Sequence, residues 1–224
     1  MRITGGEFGG RRITVPPGEI RPAMDRMRES VFSILGSALG SLNGLSVLDL
    51  FSGSGSMALE ALSRGARTAV LVERDRSKAG VIRENLGFVD PERWRLAIAP
   101  VERYLKRGAA GAPGAARAPG PGPASETGAG PASPGRPPEG ALPGPPFDLV
   151  FCDPPFRYPG KAGLLSGIAA AGVMAPGALV VIHYPKEDEL SAEIPGLVLT
   201  DRRAYGRSIV HIYAPTSYPG ESPG

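Results

Sequence analysis

V-L-D-L-F-S-G-S-G-S-M-A-L-E, residues 47–60, reads as a strand, a glycine-rich turn and the start of a helix. Val47 to Phe51 is a short apolar run of strand length. Glycines at 53 and 55 let the backbone turn sharply and let a ligand approach it without meeting a Cβ. Met57, Ala58, Leu59, Ala61 and Leu62 then recur at helical spacing. A helix begun this way presents unpaired N–H groups to whatever lies on the loop. Gly53-x-Gly55-x-x-Ala58 fits the dinucleotide fingerprint, and Glu73 stands about twenty residues on, where a ribose-binding acid belongs.

Two details turn the reading away from a nicotinamide cofactor. Asp49 lies inside the strand end, where a dinucleotide site has an apolar residue, and a second motif, Asp153-Pro154-Pro155-Phe156, follows another strand-like run, F-D-L-V-F-C. Together they resemble the S-adenosylmethionine (SAM) methyltransferases that modify exocyclic amino groups. An amino group on an aromatic base is a poor nucleophile, because its lone pair is delocalised into the ring. Two acceptors that bind its N–H bonds can localise that lone pair. Asp153 and the Pro154 carbonyl form such a pair, Pro155 stiffens the turn, and Phe156 offers a face on which a base can stack. These residues are the catalytic candidates. Glu73 suits a ribose diol, since a carboxylate accepts two hydroxyl hydrogen bonds. Asp49 suits the positively charged methionine end of SAM.

The 224 residues are 42% hydrophobic with a net charge of +3, enough for one substantial core and compatible with a nucleic-acid partner without requiring one. The single cysteine, Cys152, excludes an internal disulfide framework and suits a cytoplasmic protein. No apolar run reaches membrane-spanning length. Residues 1–45 read as an N-terminal extension: a β-hairpin around Ile3, Phe8, Ile13 and Val15, then a helix with the stripe Val31, Phe32, Ile34, Leu35 and Leu39. Residues 46–107 carry strands at 47–51, 66–73 and 94–99 with helices between. Residues 108–146 are dominated by Gly, Pro and Ala, have no apolar face, and are expected to be a disordered insertion. Residues 147–214 bring strands at 147–152 and 178–183, a helix at 164–171 and a terminal antiparallel hairpin; 215–224 is a tail. Strands alternating with helices predict an α/β fold, a mostly parallel Rossmann-like sheet whose last strand runs antiparallel, with helices on both faces. Cys152, His183 and His211 read as strand residues of the core, with no metal-binding spacing.

In order, the chain contains R-P-A-M-D-R-M-R-E-S-V-F-S, V-L-D-L-F-S-G-S-G, V-E-R-D, F-D-L-V-F-C-D-P-P-F and R-A-Y-G-R-S. This series resembles the RsmD family of class I methyltransferases, which act on guanine N2 of small-subunit ribosomal RNA. The resemblance implies SAM as cofactor and no metal. It implies 16S rRNA as partner, in the assembled small subunit, with the enzyme monomeric, cytoplasmic and engaged in rRNA processing. The SAM-binding half would be 46–107 and the catalytic half 147–214. The cofactor set becomes Asp49, Phe51, Gly53, Gly55, Glu73, Arg74, Val101 and Asp153. RNA would be gripped by the N-terminal extension through Arg2, Arg11, Arg12, Arg21, Arg26 and Arg28, and at the hairpin by Arg203, Tyr205 and Arg207. The chain departs from the family pattern at two positions. Pro100 stands where the family has Asp or Asn facing the adenine, which leaves the Val101 backbone for that contact, and Ala23 stands where it has Thr. Weighed against this reading are a DNA adenine or cytosine amino-methyltransferase, a protein-glutamine methyltransferase, a nicotinamide oxidoreductase and a non-catalytic RNA-binding module.

Overall fold

Every residue of β1 (Ser46–Leu50) is buried, as expected of a strand with helices packed on both faces of its sheet. The computed structural model describes residues 1–15, 22–108 and 145–216. In it β1 runs parallel to β2 (Thr68–Glu73) and to β4 (Phe147–Cys152), with Asp49 opposite both Leu71 and Phe151. β3 (Trp94–Ile98) extends the sheet beyond β2, and β5 (Met174–Pro185) beyond β4, both parallel. β8 (Ser208–Pro215) is antiparallel to β5 and separates it from β7 (Leu197–Tyr205), which pairs with β6 (Glu193–Ile194), so the eight strands among the described residues run β3-β2-β1-β4-β5-β8-β7-β6. β6 has two residues, too few for a periodic signal, and was not expected from the sequence. β5 starts at Met174 rather than Ala178, because Ala175, Pro176 and Gly177 bulge out of the β4 register.

Alternation along the strands divides the core in two. Val47, Leu71, Leu149, Phe151 and Val181 face α1 (Pro22–Leu39), α2 (Ser56–Ser63) and α3 (Lys78–Leu86). Leu48, Leu50, Val70, Val150 and Cys152 face α4 (Val101–Gly108) and α5 (Lys161–Ala170). In α1 the buried set is Met27, Val31, Phe32 and Leu35, one stripe at helical spacing, with the Phe32 ring 5.4 Å from that of Phe151. Burying each such side chain is worth about 1.5–3 kcal/mol.

The expected N-terminal hairpin is reduced to one antiparallel bridge between Arg2 and Arg12, backed by Ile3 N–H to Arg11 O and Ile13 N–H to Met1 O, both 3.0 Å. Glycines interrupt it, and one has a packing reason: a Cβ on Gly6 would lie 1.9 Å from Ser63 O. The segment is tied down by polar groups instead. The fully buried Glu60 of α2 accepts from Thr4 N–H, Arg28 Nε and Arg64 Nε. Asn85 of α3 accepts from Thr14 N–H and donates to Thr14 O and Ser54 O, joining the N-terminal segment to the glycine loop. Nearly all of 108–146, and the tail from 217, lie outside the described residues.

Candidate active site

The loop after β1 takes a left-handed backbone three times, at Phe51 (φ 60°), Gly53 (φ 56°) and Gly55 (φ 78°). For a bulky residue such as Phe51 that conformation is strained, and strain of this kind gathers where a ligand is held. Gly55 is required on a second count: a Cβ there would press to 3.1 Å from Leu71 Cδ2. As N-cap of α2, Gly55 has no side chain to satisfy the helix's free N–H groups, and Asp49 does so from β1, accepting from Ala58 N–H at 3.2 Å.

Asp49 is 2% exposed. Burial pushes its carboxyl up to about 8; the Ala58 bond opposes this, and the nearby charges of Asp153 and Glu73 add to it. A buried acid held beside two others, with no cation paired to it among the described residues, is a site that would take one. Glu73, buried at the end of β2, accepts from Gly53 N–H at 3.0 Å and from Asp75 N–H at 2.8 Å, so its carboxylate lies directly against the glycine loop. Arg74 follows it, exposed. Val101 is buried as the first residue of α4, where its N–H has no partner within the helix.

Asp153 leaves the end of β4 beside the end of β1, its N–H 3.4 Å from Leu50 O. Its Oδ1 lies 2.9 Å from His183 Nδ1. Pro154 is buried, and Phe156 projects with 41% exposure, an aromatic face open beside a carboxylate. The turn is pinned from behind by Lys161, which is 5% exposed and donates to Phe156 O, Tyr158 O and Asp188 Oδ2. Tyr158 closes the far side: its ring meets Phe51 edge-on at 5.2 Å and its hydroxyl donates to Glu102. Burial, then that bond, push the Tyr158 phenol upward. Cys152 is fully buried in the strand, and burial raises its thiol too.

Asp49, Phe51, Gly53, Gly55, Glu73 and Asp153 are thus gathered at the carboxyl edge of the parallel strands, beside the β1–β4 junction. His183, read from the sequence as a structural strand residue, stands against Asp153, and Lys161 was not singled out by the sequence. A lysine at a helix N-terminus opposes the helix dipole and so signals a compensating partner.

The proposed RNA contacts divide. Arg2, Arg11, Arg12 and Arg26 are exposed, Arg11 stacked 3.6 Å over the Phe88 ring. Arg28 is corrected: it is 2% exposed, paired with Glu60 and Asp25, and bonded to Arg2 O, so it ties α1 to the N-terminal segment and is closed to a phosphate. Arg21 lies outside the described residues. Arg203 pairs with Asp201 and Arg207 with Glu187, both exposed, while the Tyr205 hydroxyl bonds Ser30 of α1 at 2.6 Å.

A family described as Conserved hypothetical protein 95 matches residues 1–113 and 137–214, a span holding both the glycine loop and the D-P-P-F turn. This chain belongs to that family. The expected likeness to RsmD-type methyltransferases is borne out by its relatives. The chain is 27% identical to the Escherichia coli K12 ribosomal RNA small subunit methyltransferase D, over 95% of this chain and 89% of that protein. Among solved structures, one from Escherichia coli is 25% identical with a TM-score of 0.71, covering 97% of this chain and 99% of that one. A hypothetical protein from Thermus thermophilus is 28% identical with a TM-score of 0.67, covering 95% and 98%. Family membership and sheet order agree with the class I methyltransferase fold read from the sequence.

Proposed function

We propose that this protein methylates the exocyclic N2 amino group of a guanine in small-subunit ribosomal RNA, using SAM. The observation that carries the reading is the D-P-P-F turn standing beside a glycine loop and two buried carboxylates, in a chain whose relatives include small-subunit rRNA methyltransferases. The site fits the cofactor. Glu73 offers its carboxylate to a ribose diol, the left-handed glycine loop allows close approach, and Asp49 is a buried acid suited to a cationic group.

When bound, SAM supplies a methyl group on a positively charged sulfur. The chain's own residues do the rest by placement. Asp153 and the Pro154 carbonyl accept the two N–H bonds of the target amine and turn its lone pair toward the methyl. Phe156 stacks on the base, which has been flipped out of its helix. Most of the acceleration comes from holding the partners in line. Asp153 accepts a proton as the amine is methylated, when that proton has become acidic. The finer reading is that a monomeric enzyme works in the cytoplasm on the assembled subunit. Among the described residues, no helix is long and apolar enough to cross a membrane.

Labelled SAM offered in turn with small subunits, free rRNA, duplex DNA and protein is the direct test. Label recovered as N2-methylguanosine is the expected result; label in DNA or protein, or in no substrate, refutes it. The exposed N-terminal arginines are proposed to hold phosphates, which set register without reading sequence. Arg12→Ala with Arg26→Ala should weaken RNA binding across all sequences and flatten its salt dependence, by about 0.7 units of slope per lost contact with single-stranded RNA. An unchanged slope in a salt series would assign both to a solvated surface. Arg11 is left intact because its stacking on Phe88 gives it a structural part.

A further inference from the structure

Asp153 enters the site with one oxygen already engaged, and strand register explains why. β4 and β5 are parallel with Cys152 opposite Ile182. One step further along each strand stand Asp153 and His183, and their side chains meet, His183 Nδ1 lying 2.9 Å from Asp153 Oδ1. His183 is 8% exposed and fixed from its other side by β8, where it pairs with Val210. Its ring meets Phe156 edge-on at 5.6 Å. Met27, Val31, Val181 and Val210 line the same small pocket, all apolar. His183 Nε2 is buried there with no hydrogen-bond partner among the described residues. A hydrogen on Nε2 would be a buried donor without an acceptor, and it would leave the bare Nδ1 lone pair facing the Asp153 carboxylate. The proton therefore belongs on Nδ1, where it is donated to Asp153.

We propose that His183 is a positioning residue for Asp153: its Nδ1–H fixes the carboxylate's rotation and occupies Oδ1, so that Oδ2 and the Pro154 carbonyl face the target amine. This rests on the methyltransferase reading above. The Asp153 side chain is 37% exposed, and without a fixed partner its carboxylate would turn freely among water contacts. The amine needs two acceptors at a set separation, and a misplacement of about 1 Å can cost on the order of a hundredfold in rate. One donor anchored between two strands supplies that orientation.

Two substitutions separate this role from packing. His183→Phe keeps an aromatic ring in the apolar pocket and removes the donor. His183→Asn loses ring volume but keeps an N–H close to where Nδ1 stands. The expected result is a fall in kcat of roughly ten- to a hundredfold for His183→Phe, with KM for SAM unchanged, and substantial recovery of kcat in His183→Asn. A purely structural role predicts the reverse order. Parental kcat in His183→Phe, or His183→Asn no better than His183→Phe, overturns the proposal. A second readout needs neither variant nor substrate. The chain has two histidines, so long-range nitrogen-15 spectra of the parent protein assign the His183 ring readily. Protonation at Nδ1 is expected, and protonation at Nε2 alone overturns the proposal. If the parent methylates none of the substrates offered, the functional reading fails, and the spectrum still decides the hydrogen bond.

Discussion

Asp153→Ala is expected to lower kcat for rRNA methylation by about 10²–10⁴-fold, the range over which a positioned acid–base group acts. SAM affinity should hold or rise slightly. Asp153 stands at the end of β4, whereas the carboxylates proposed for the cofactor, Asp49 and Glu73, stand on β1 and β2. The Asp153 charge also helps push the Asp49 carboxyl upward, so removing it lets Asp49 ionise more readily. Asp153→Asn should be nearly as damaging, because an amide with its oxygen toward the amine sets its NH2 against the His183 Nδ1–H, and one with its oxygen on His183 turns a competing N–H toward the amine. Single-turnover methylation read beside calorimetry of SAM binding separates these effects. Turnover near the parental rate in the alanine variant would remove Asp153 from the chemistry. Loss of SAM binding with intact folding would move it to the cofactor.

What the sequence revealed and what it hid follow from the range of the interactions. β1, its glycine loop and α2 were legible because strand, turn and helix each leave a short-range pattern, and the loop's glycines answer a backbone demand confirmed at Gly55. The D-P-P-F turn was legible for the same reason. The Asp153–His183 pair was hidden because it depends on the β4–β5 register, which sets residues thirty positions apart side by side. Lys161 is in sequence only a lysine before an apolar helix; its three acceptors come from a neighbouring loop and from Asp188. Arg28 does carry a local signal of its burial. It stands four residues before Phe32 and seven before Leu35, on the stripe that α1 buries, and a buried arginine needs an acid such as Glu60. Tyr205 was named from the sequence as an RNA contact, but its bond to Ser30 was hidden, since it joins the C-terminal hairpin to α1 over 175 residues of sequence.

Asp49→Asn is expected to stabilise the fold at neutral and alkaline pH while sharply weakening SAM. In the unfolded chain an aspartate titrates near ~3.9, whereas burial raises the folded-state value of Asp49 to about 8. Between those limits the folded protein holds a proton that the unfolded chain has released. Stability therefore falls as pH rises through this window, and the loss is complete once pH exceeds the folded value. Asparagine keeps an oxygen for the Ala58 N–H and has no proton to lose. The variant's advantage should be slight near pH 4 and grow to on the order of a few kcal/mol by pH 8.5. Urea unfolding of both proteins at several pH values checks this, and a difference independent of pH would show that Asp49 is ionised in the folded protein throughout. The same proton bears on the cofactor. A positively charged ligand is best met by the ionised carboxyl, so below pH 8 SAM binding should expel the Asp49 proton. Parental affinity should then rise with pH, by up to about tenfold per unit, while the asparagine variant binds weakly at every pH. Calorimetry in two buffers of different ionisation enthalpy reads the expelled proton directly, and binding heats that agree between buffers would sink the assignment. The stability lost by burying this acid is the counterpart of a cation site built into the centre of the sheet, the usual trade between a functional site and the fold that holds it.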